Sequence, residues 1–244
     1  ELNAIVSRIV GKEIRRQENI DAVFHLALED LENVKAISST KADSDWLTRF
    51  FNIVEDVSDD ELRRVWGKVL SQEIQLPNSY SLRTLTTISN LSKKEAELFA
   101  KIGNYIFASK SCRFLVRSHT DVLGGVVSYE DISLLMECGL IKETHELNLS
   151  YLSDNSSIQK YAFVYQDFAV IIEVETGNLN VDIPIYELTT AGSEIYKILT
   201  VEKEMSYLQL VADDIKQPHV RVGYAKINEI TDEAIDHDDN VTYL

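Results

Sequence analysis

The sequence is short of the residues that break or staple a chain. Three prolines and nine glycines in 244 residues are too few for a disordered or low-complexity polypeptide. Its two cysteines, Cys112 and Cys138, stand apart from any paired motif. That points to a reducing compartment and leaves no four-ligand structural zinc site. No apolar run approaches the roughly 20 residues that cross a bilayer. The chain begins at Glu1 instead of Met, so a segment ahead of it is expected, where a targeting peptide or anchor would lie. Missing too are the loops that carry common chemistry. There is no G-x-x-x-x-G-K-[ST] or G-x-G-x-x-G stretch to cradle phosphates, no G-x-S-x-G elbow and no Cys–His arrangement; Gly124-Gly125 reads as a turn. Hydrolase, kinase and dehydrogenase readings therefore fall away, and no catalytic residue, cofactor or metal is assigned. An enzyme assembled from scattered residues would leave no such spacing.

What is present is an ordinary globular composition, 45% hydrophobic and 26% charged, with a net charge of −16. The charge is unevenly spread. Residues 1–110 carry 15 bases and 17 acids, a balance of −2, whereas residues 111–244 carry 9 and 23, a balance of −14. Binding a polyanion requires Lys and Arg at its phosphates, and so acidic a half repels nucleic acid at long range.

Apolar residues recur at helical spacing over residues 1–36, as one long helix or a broken pair, with Gly11 and the polar Arg15–Asn19 stretch in the middle. A polar loop precedes a helix from Asp45 to Val57. Ser58-Asp59-Asp60-Glu61 and Ser92-Lys93-Lys94-Glu95 both have the capping-box pattern. The first opens a helix broken at Pro77-Asn78-Ser79, and the second opens one through Ile106; a short helix, Leu82 to Ser89, lies between them. After residue 110 the pattern changes. Arg113 to Ser118 reads as a strand, and Tyr129 to Cys138 as a helix closing at Gly139. Phe163 to Glu175 alternates or runs apolar in a β-branched stretch, as a strand does, and beyond a turn at Gly177-Asn178 the chain returns as a second strand, Asn180 to Leu188. Thr189 or Thr190 caps a helix to Leu199, another runs from Glu204 to Lys216, and Val220 to Ile230 alternates like a strand. Asp232 to Asn240 is an acidic stretch.

Several blocks in series, Trp46 to Phe51, Val57 to Leu62, Val65 to Leu70, Glu73-Ile74, Ser81 to Leu85 and Leu91 to Phe99, resemble a bacterial family known as domain of unknown function 2806. The resemblance covers about residues 44–108. It implies a bacterial cytoplasmic protein without assigned chemistry, in a group associated with mobile elements and phage defence. The family pattern leads one to expect glycine where Asn78 stands. In the second half, Leu134 to Ile141 resembles a winged-helix recognition helix entering its first wing strand. Leu188 to Ile195 resembles the second wing strand entering the final helix, although residues 142–187 are long for a wing.

The expected architecture is mainly α with α+β. An N-terminal helical bundle occupies residues 1–110, and a winged-helix-like α/β domain with an acidic C-terminal segment occupies 111–244. Trp46, Phe50, Phe51 and Trp66 could form a ligand pocket or partner face, but large aromatics at helical spacing are more simply a core. Arg83 could bind an anion or a partner's carboxylate; the plainer expectation is a clamp on the acidic 55–61 segment. Asp56, Asp59, Asp60 and Glu61 are explained by the positive end of a helix dipole, and His25 with Glu29 by a solvated pair on one helix face. Should the second half dock on DNA, its recognition helix would present Glu130, Asp131 and Glu137 with no Lys or Arg, the reverse of what phosphate and guanine contacts need. Basic residues that could meet an anion, Lys12, Arg15, Arg16, Arg63, Arg64 and Lys68, lie in the first half. The expected function is a non-enzymatic protein-interaction or regulatory module. Its partner would be a protein, and the first helix offers a surface for a homodimer. A nucleic-acid-binding winged-helix regulator is the alternative.

Overall fold

The computed structural model describes residues 2–32, 34, 37–117, 127–143, 147–153, 157–175, 179–231 and 234–244. Its contacts divide the chain into two compact units, Glu1–Asn90 and Leu91–Leu244. The turns expected at Gly124-Gly125 and Gly177-Asn178, and Ser118 and Asp232, lie outside the described residues.

Unit 1 is helical: α1 (Leu2–Leu31), α2 (Ser44–Val54), α3 (Asp60–Gln75) and α4 (Leu82–Asn90). Gly11 and the polar middle do not break α1, which is one helix of 30 residues. It packs along α3, and Gly67 explains how closely: a Cβ there would lie 2.8 Å from Leu26 Cβ. The helix α3 is not opened by a capping box at Ser58. Its N-cap is Asp59, which accepts from the N–H groups of Glu61 and Leu62 at 3.0 Å each. A carboxylate is the stronger acceptor for those orphan donors than a hydroxyl. Asp43 caps α2 in the same way, one residue ahead of Ser44.

Among its described residues, unit 2 is built on a nine-stranded antiparallel sheet. Its elements are α5 (Lys93–Gly103), β1 (Phe107–Ala108), β2 (Arg113–Val116), α6 (Tyr129–Glu137), β3 (Leu147–Leu152), β4 (Gln159–Tyr165), β5 (Phe168–Val174), β6 (Asn180–Glu187), α7 (Thr190–Tyr196), α8 (Met205–Ile215), β7 (Val220–Ile230), β8 (Ile235–His237) and β9 (Thr242–Tyr243). The strand order is β3-β6-β2-β1-β4-β5-β7-β8, with β9 also on β7. The chain is therefore α+β, with far more sheet than the sequence leads one to expect. Ser92 and Glu95 do form the capping box of α5, and α5 packs against α6 within this unit. Ser128 and Asp131 make a second box on α6 that the sequence reading passes over.

The expected strand over 163–175 is two strands, β4 and β5, folded at Gln166-Asp167, where Gln166 takes φ 55°. Nor does the 180–188 strand return along it. β6 pairs with β2 and β3, while β5 pairs with β4 and β7. Burial explains why β5 reads as one apolar run: it is inside the sheet, and all its residues after Phe168 are buried. Phe107, Phe114, Phe163, Tyr165 and Tyr207 fill the core, with ring centroids 4.8–6.4 Å apart in the contacting pairs. Part of the expected acidic stretch after Asp232 is β8, hydrogen-bonded along β7.

Candidate functional site

The structure brings together the four aromatics singled out from the sequence, and it buries three of them inside unit 1. Trp46, Phe50 and Trp66 are buried. Phe50 stacks on Trp46 at 5.1 Å and meets Trp66 edge-on at 5.6 Å. Phe51, half-buried, lies edge-on to Phe50 at 5.4 Å. The indole N–H of Trp46 donates to Tyr80 O at 2.8 Å, so its polar handle is occupied within the unit. This cluster is a core.

Beside it, the buried carboxylate of Glu73 on α3 holds the turn that follows the helix. It accepts the N–H of Asn78 at 2.7 Å and that of Tyr80 at 3.1 Å. Asn78 has φ 70°, the left-handed region where glycine and asparagine are the residues of least strain. Asparagine there in place of the expected glycine keeps the same turn.

Arg83 is exposed and makes no hydrogen bond or ion pair with another described residue. The clamp on the acidic segment is made by Arg16 and Arg63 instead. Arg16 on α1 reaches Glu55 at 3.0 Å and Asp56 at 3.2 Å. Arg63 donates to Val57 O, Asp60 and Asn19 Oδ1 at 3.2, 2.8 and 2.5 Å. Asn19, buried on α1, donates to Glu55 O at 2.7 Å. Sequence spacing does not single out Arg16 and Asn19, which reach the segment from 40 and 36 positions away. Arg16 and Arg63, both among the basic residues expected to meet an anion, are thus held by acids. His25 and Glu29 are both exposed. Among the described residues no three His, Cys, Asp or Glu side chains converge as a metal site would need.

Unit 2 holds two features that the sequence reading missed. Glu173 on β5 is buried between Lys160 of β4 at 2.6 Å and Arg221 of β7 at 2.9 Å, its two cross-strand neighbours. Burial alone would raise its pKa. Hydrogen bonds from Lys160 and Tyr243, with the two cations' charge, outweigh burial and hold the carboxyl below its ordinary value. Alternation along each strand puts Lys160 and Arg221 in register, but only pairing partners reveal the triad.

The second is a cavity of about 500 Å³ at the β1–β2 turn and the start of α7, lined in part by Lys110, Ser111, Arg113, Lys142 and Ser193. Nearby, the two sequence stretches read as wing strands meet. Ile141 bridges Leu188, and Thr189 donates from N and Oγ1 to Leu140 O and Gly139 O at 3.0 and 2.6 Å. A Cβ on Gly192 would lie 2.1 Å from Leu140 O. The stretches ending at Ile141 and beginning at Leu188 are thus two sides of one contact. Cys112 and Cys138 are free thiols. Burial first, then the charge and hydrogen bond of Glu95, push Cys138 up to about 11.

These features define an α+β protein with one helical unit and one antiparallel-sheet unit. The chain belongs to the family described as Protein of unknown function (DUF2806), which it matches over residues 4–212. The match takes in both units and leaves β7 to β9 outside it. No curated protein and no solved structure matches the chain. No described helix is long and apolar enough to cross a membrane.

Proposed function

We propose that this chain is a non-enzymatic protein-interaction or regulatory module of the bacterial cytoplasm that pairs with a second copy of itself through α1. The observation that carries the reading is the bare N-terminal half of that helix. Leu2, Ile5, Val6, Ile9, Val10 and Ile14 are all exposed, Leu2 by 74%, and the first buried residue is Asn19. Ile5 and Ile9 stand eighteen residues, or about five whole turns, before the buried Val23 and Ala27. The stripe that packs unit 1 therefore runs on past the unit into solvent. Its six side chains expose roughly 600 Å² of apolar surface, the upper end for a patch on a monomer. A half-helix rich in Ile and Val with no packing is marginal in water, and a second α1 laid along the stripe supplies that packing.

In unit 2 the order β3-β6-β2, with α6 leading into β3 and β6 into α7, supports a winged-helix-like reading in which β4 and β5 are an insertion into the wing. The α6 helix in the recognition position carries Glu130, Asp131 and Glu137, and unit 2 as a whole has 13 bases against 25 acids. Both favour a protein partner over a phosphate backbone.

Size-exclusion chromatography with light scattering tests the pairing. The wild-type chain is expected as a dimer, and Ile5→Glu with Ile9→Glu as a folded monomer that loses helix content only over the N-terminal half of α1. A monomeric wild type across the micromolar range overturns it.

A further inference from the structure

We propose that the cavity at the β1–β2 turn of unit 2 is a binding site for a small phosphorylated ligand, anchored by Arg113. Arg113 opens β2 and is half-buried. Its guanidinium carbon sits 5.3 Å from the ring centre of Tyr196. Its Nε is buried and donates to nothing, and no described acid pairs with it. Arg113 lines the cavity, and the planar fork of a guanidinium's N–H groups matches the oxygens of a phosphate.

The rest of the lining suits the same group. Lys110 and Lys142 add two cations, and Ser111, Thr190 and Ser193 add hydroxyl donors, against one carboxylate, Glu187. Lys142 is paired with Glu187 at 2.5 Å, which cancels that carboxylate and leaves Arg113 as local positive charge. So many donors around one arginine fit a phosphate, with its extra acceptor oxygens, better than a carboxylate. A volume of about 500 Å³ is within the usual range for small-molecule sites and exceeds what a lone phosphate fills, so a phosphate ester is the ligand class.

Calorimetric titration with inorganic phosphate and with adenosine monophosphate, at constant ionic strength, tests the site. Saturable binding of the monophosphate, weakened at least tenfold in Arg113→Met, supports the proposal. Stronger binding of the ester than of phosphate places the organic part in the cavity. Equal binding of the two identifies a simple anion site and overturns the ester assignment. Since Arg113→Met could disturb β2, Ser193→Val and Lys142→Met are titrated beside it, each expected to weaken binding several-fold. Absence of binding to the wild type at millimolar ligand, or equal binding by all three variants, overturns the proposal.

Discussion

Glu73→Gln should destabilise unit 1 by about 2–3 kcal/mol, although it changes one atom and leaves the shape intact. In the wild type each carboxylate oxygen accepts one backbone N–H of the turn, from Asn78 and from Tyr80. The amide of glutamine offers one oxygen and one NH₂, so one of those N–H groups faces another donor. Leaving a buried N–H unsatisfied costs about 1–3 kcal/mol, and the surviving bond loses the strengthening that a charged acceptor gives. Glu73→Ala removes both acceptors and leaves a void, raising the cost to about 3–5 kcal/mol. Both tryptophans of the chain are in unit 1 and buried, and Trp46 donates to Tyr80 O at the held turn. Tryptophan fluorescence during urea unfolding therefore reads this unit directly. The midpoint should fall with the slope unchanged. A Glu73→Gln variant within about 0.5 kcal/mol of wild type would refute the claim that the carboxylate holds the turn.

In unit 2, Glu173→Gln should cost about 1–2 kcal/mol at pH 7. That is less than for a wholly buried pair, because Lys160 and Arg221 are more than half exposed and can rehydrate. Its folded pKa is lowered, so the contribution is complete above the ordinary glutamate value near 4.3 and is lost as pH falls through the folded value. Calorimetric melting should show the variant's deficit shrinking at acid pH; a deficit that grows there contradicts the assignment. Cys138, pushed up to about 11, should alkylate slowly. Against an ordinary thiol, the loss of thiolate at pH 8, partly offset by greater nucleophilicity, leaves it roughly 20-fold slower before any shielding. Iodoacetamide labelling of a Cys112→Ser chain should still accelerate above pH 9.5, and a rate that levels off by pH 9 removes the burial argument.

How far the sequence speaks depends on how local the deciding interaction is. The capping box at Ser92 is legible because donor and acceptor lie three residues apart. The same local grammar misleads at Ser58, where the adjacent Asp59 is the better acceptor and takes the cap. Gly139 is legible as a helix stop because its φ of 71° suits glycine. The fold at Gln166 is not, since a non-glycine residue takes a positive φ there without any Gly or Pro to mark it. Pairing across the sheet is least legible of all. β6 looks like the return of β5 by proximity in sequence, and only the register Leu115 to Tyr186 and Leu149 to Ile183 reveals its real neighbours. The aromatic cluster reads correctly as a core from spacing alone, whereas nothing in the spacing ties Arg113 or Glu173 to their surroundings. Those two depend on who stands across the sheet.

Charge gives Arg113 its weight. Unit 2 has nearly two acids for every base, and its cations are readily claimed: Lys160 and Arg221 by Glu173, Lys142 by Glu187, Lys203 by Asp167, Lys216 by Asp213. In such surroundings acids are close at hand for one more guanidinium, although holding a flexible surface side chain in place costs side-chain order. Arg113 nonetheless has Tyr196 over its face, hydroxyls around its cavity and a buried Nε with no acceptor. Among the described residues no acid pairs with Arg113, and the carboxylate of Glu187 in the same cavity is held by Lys142; that is an arrangement an incoming oxyanion completes.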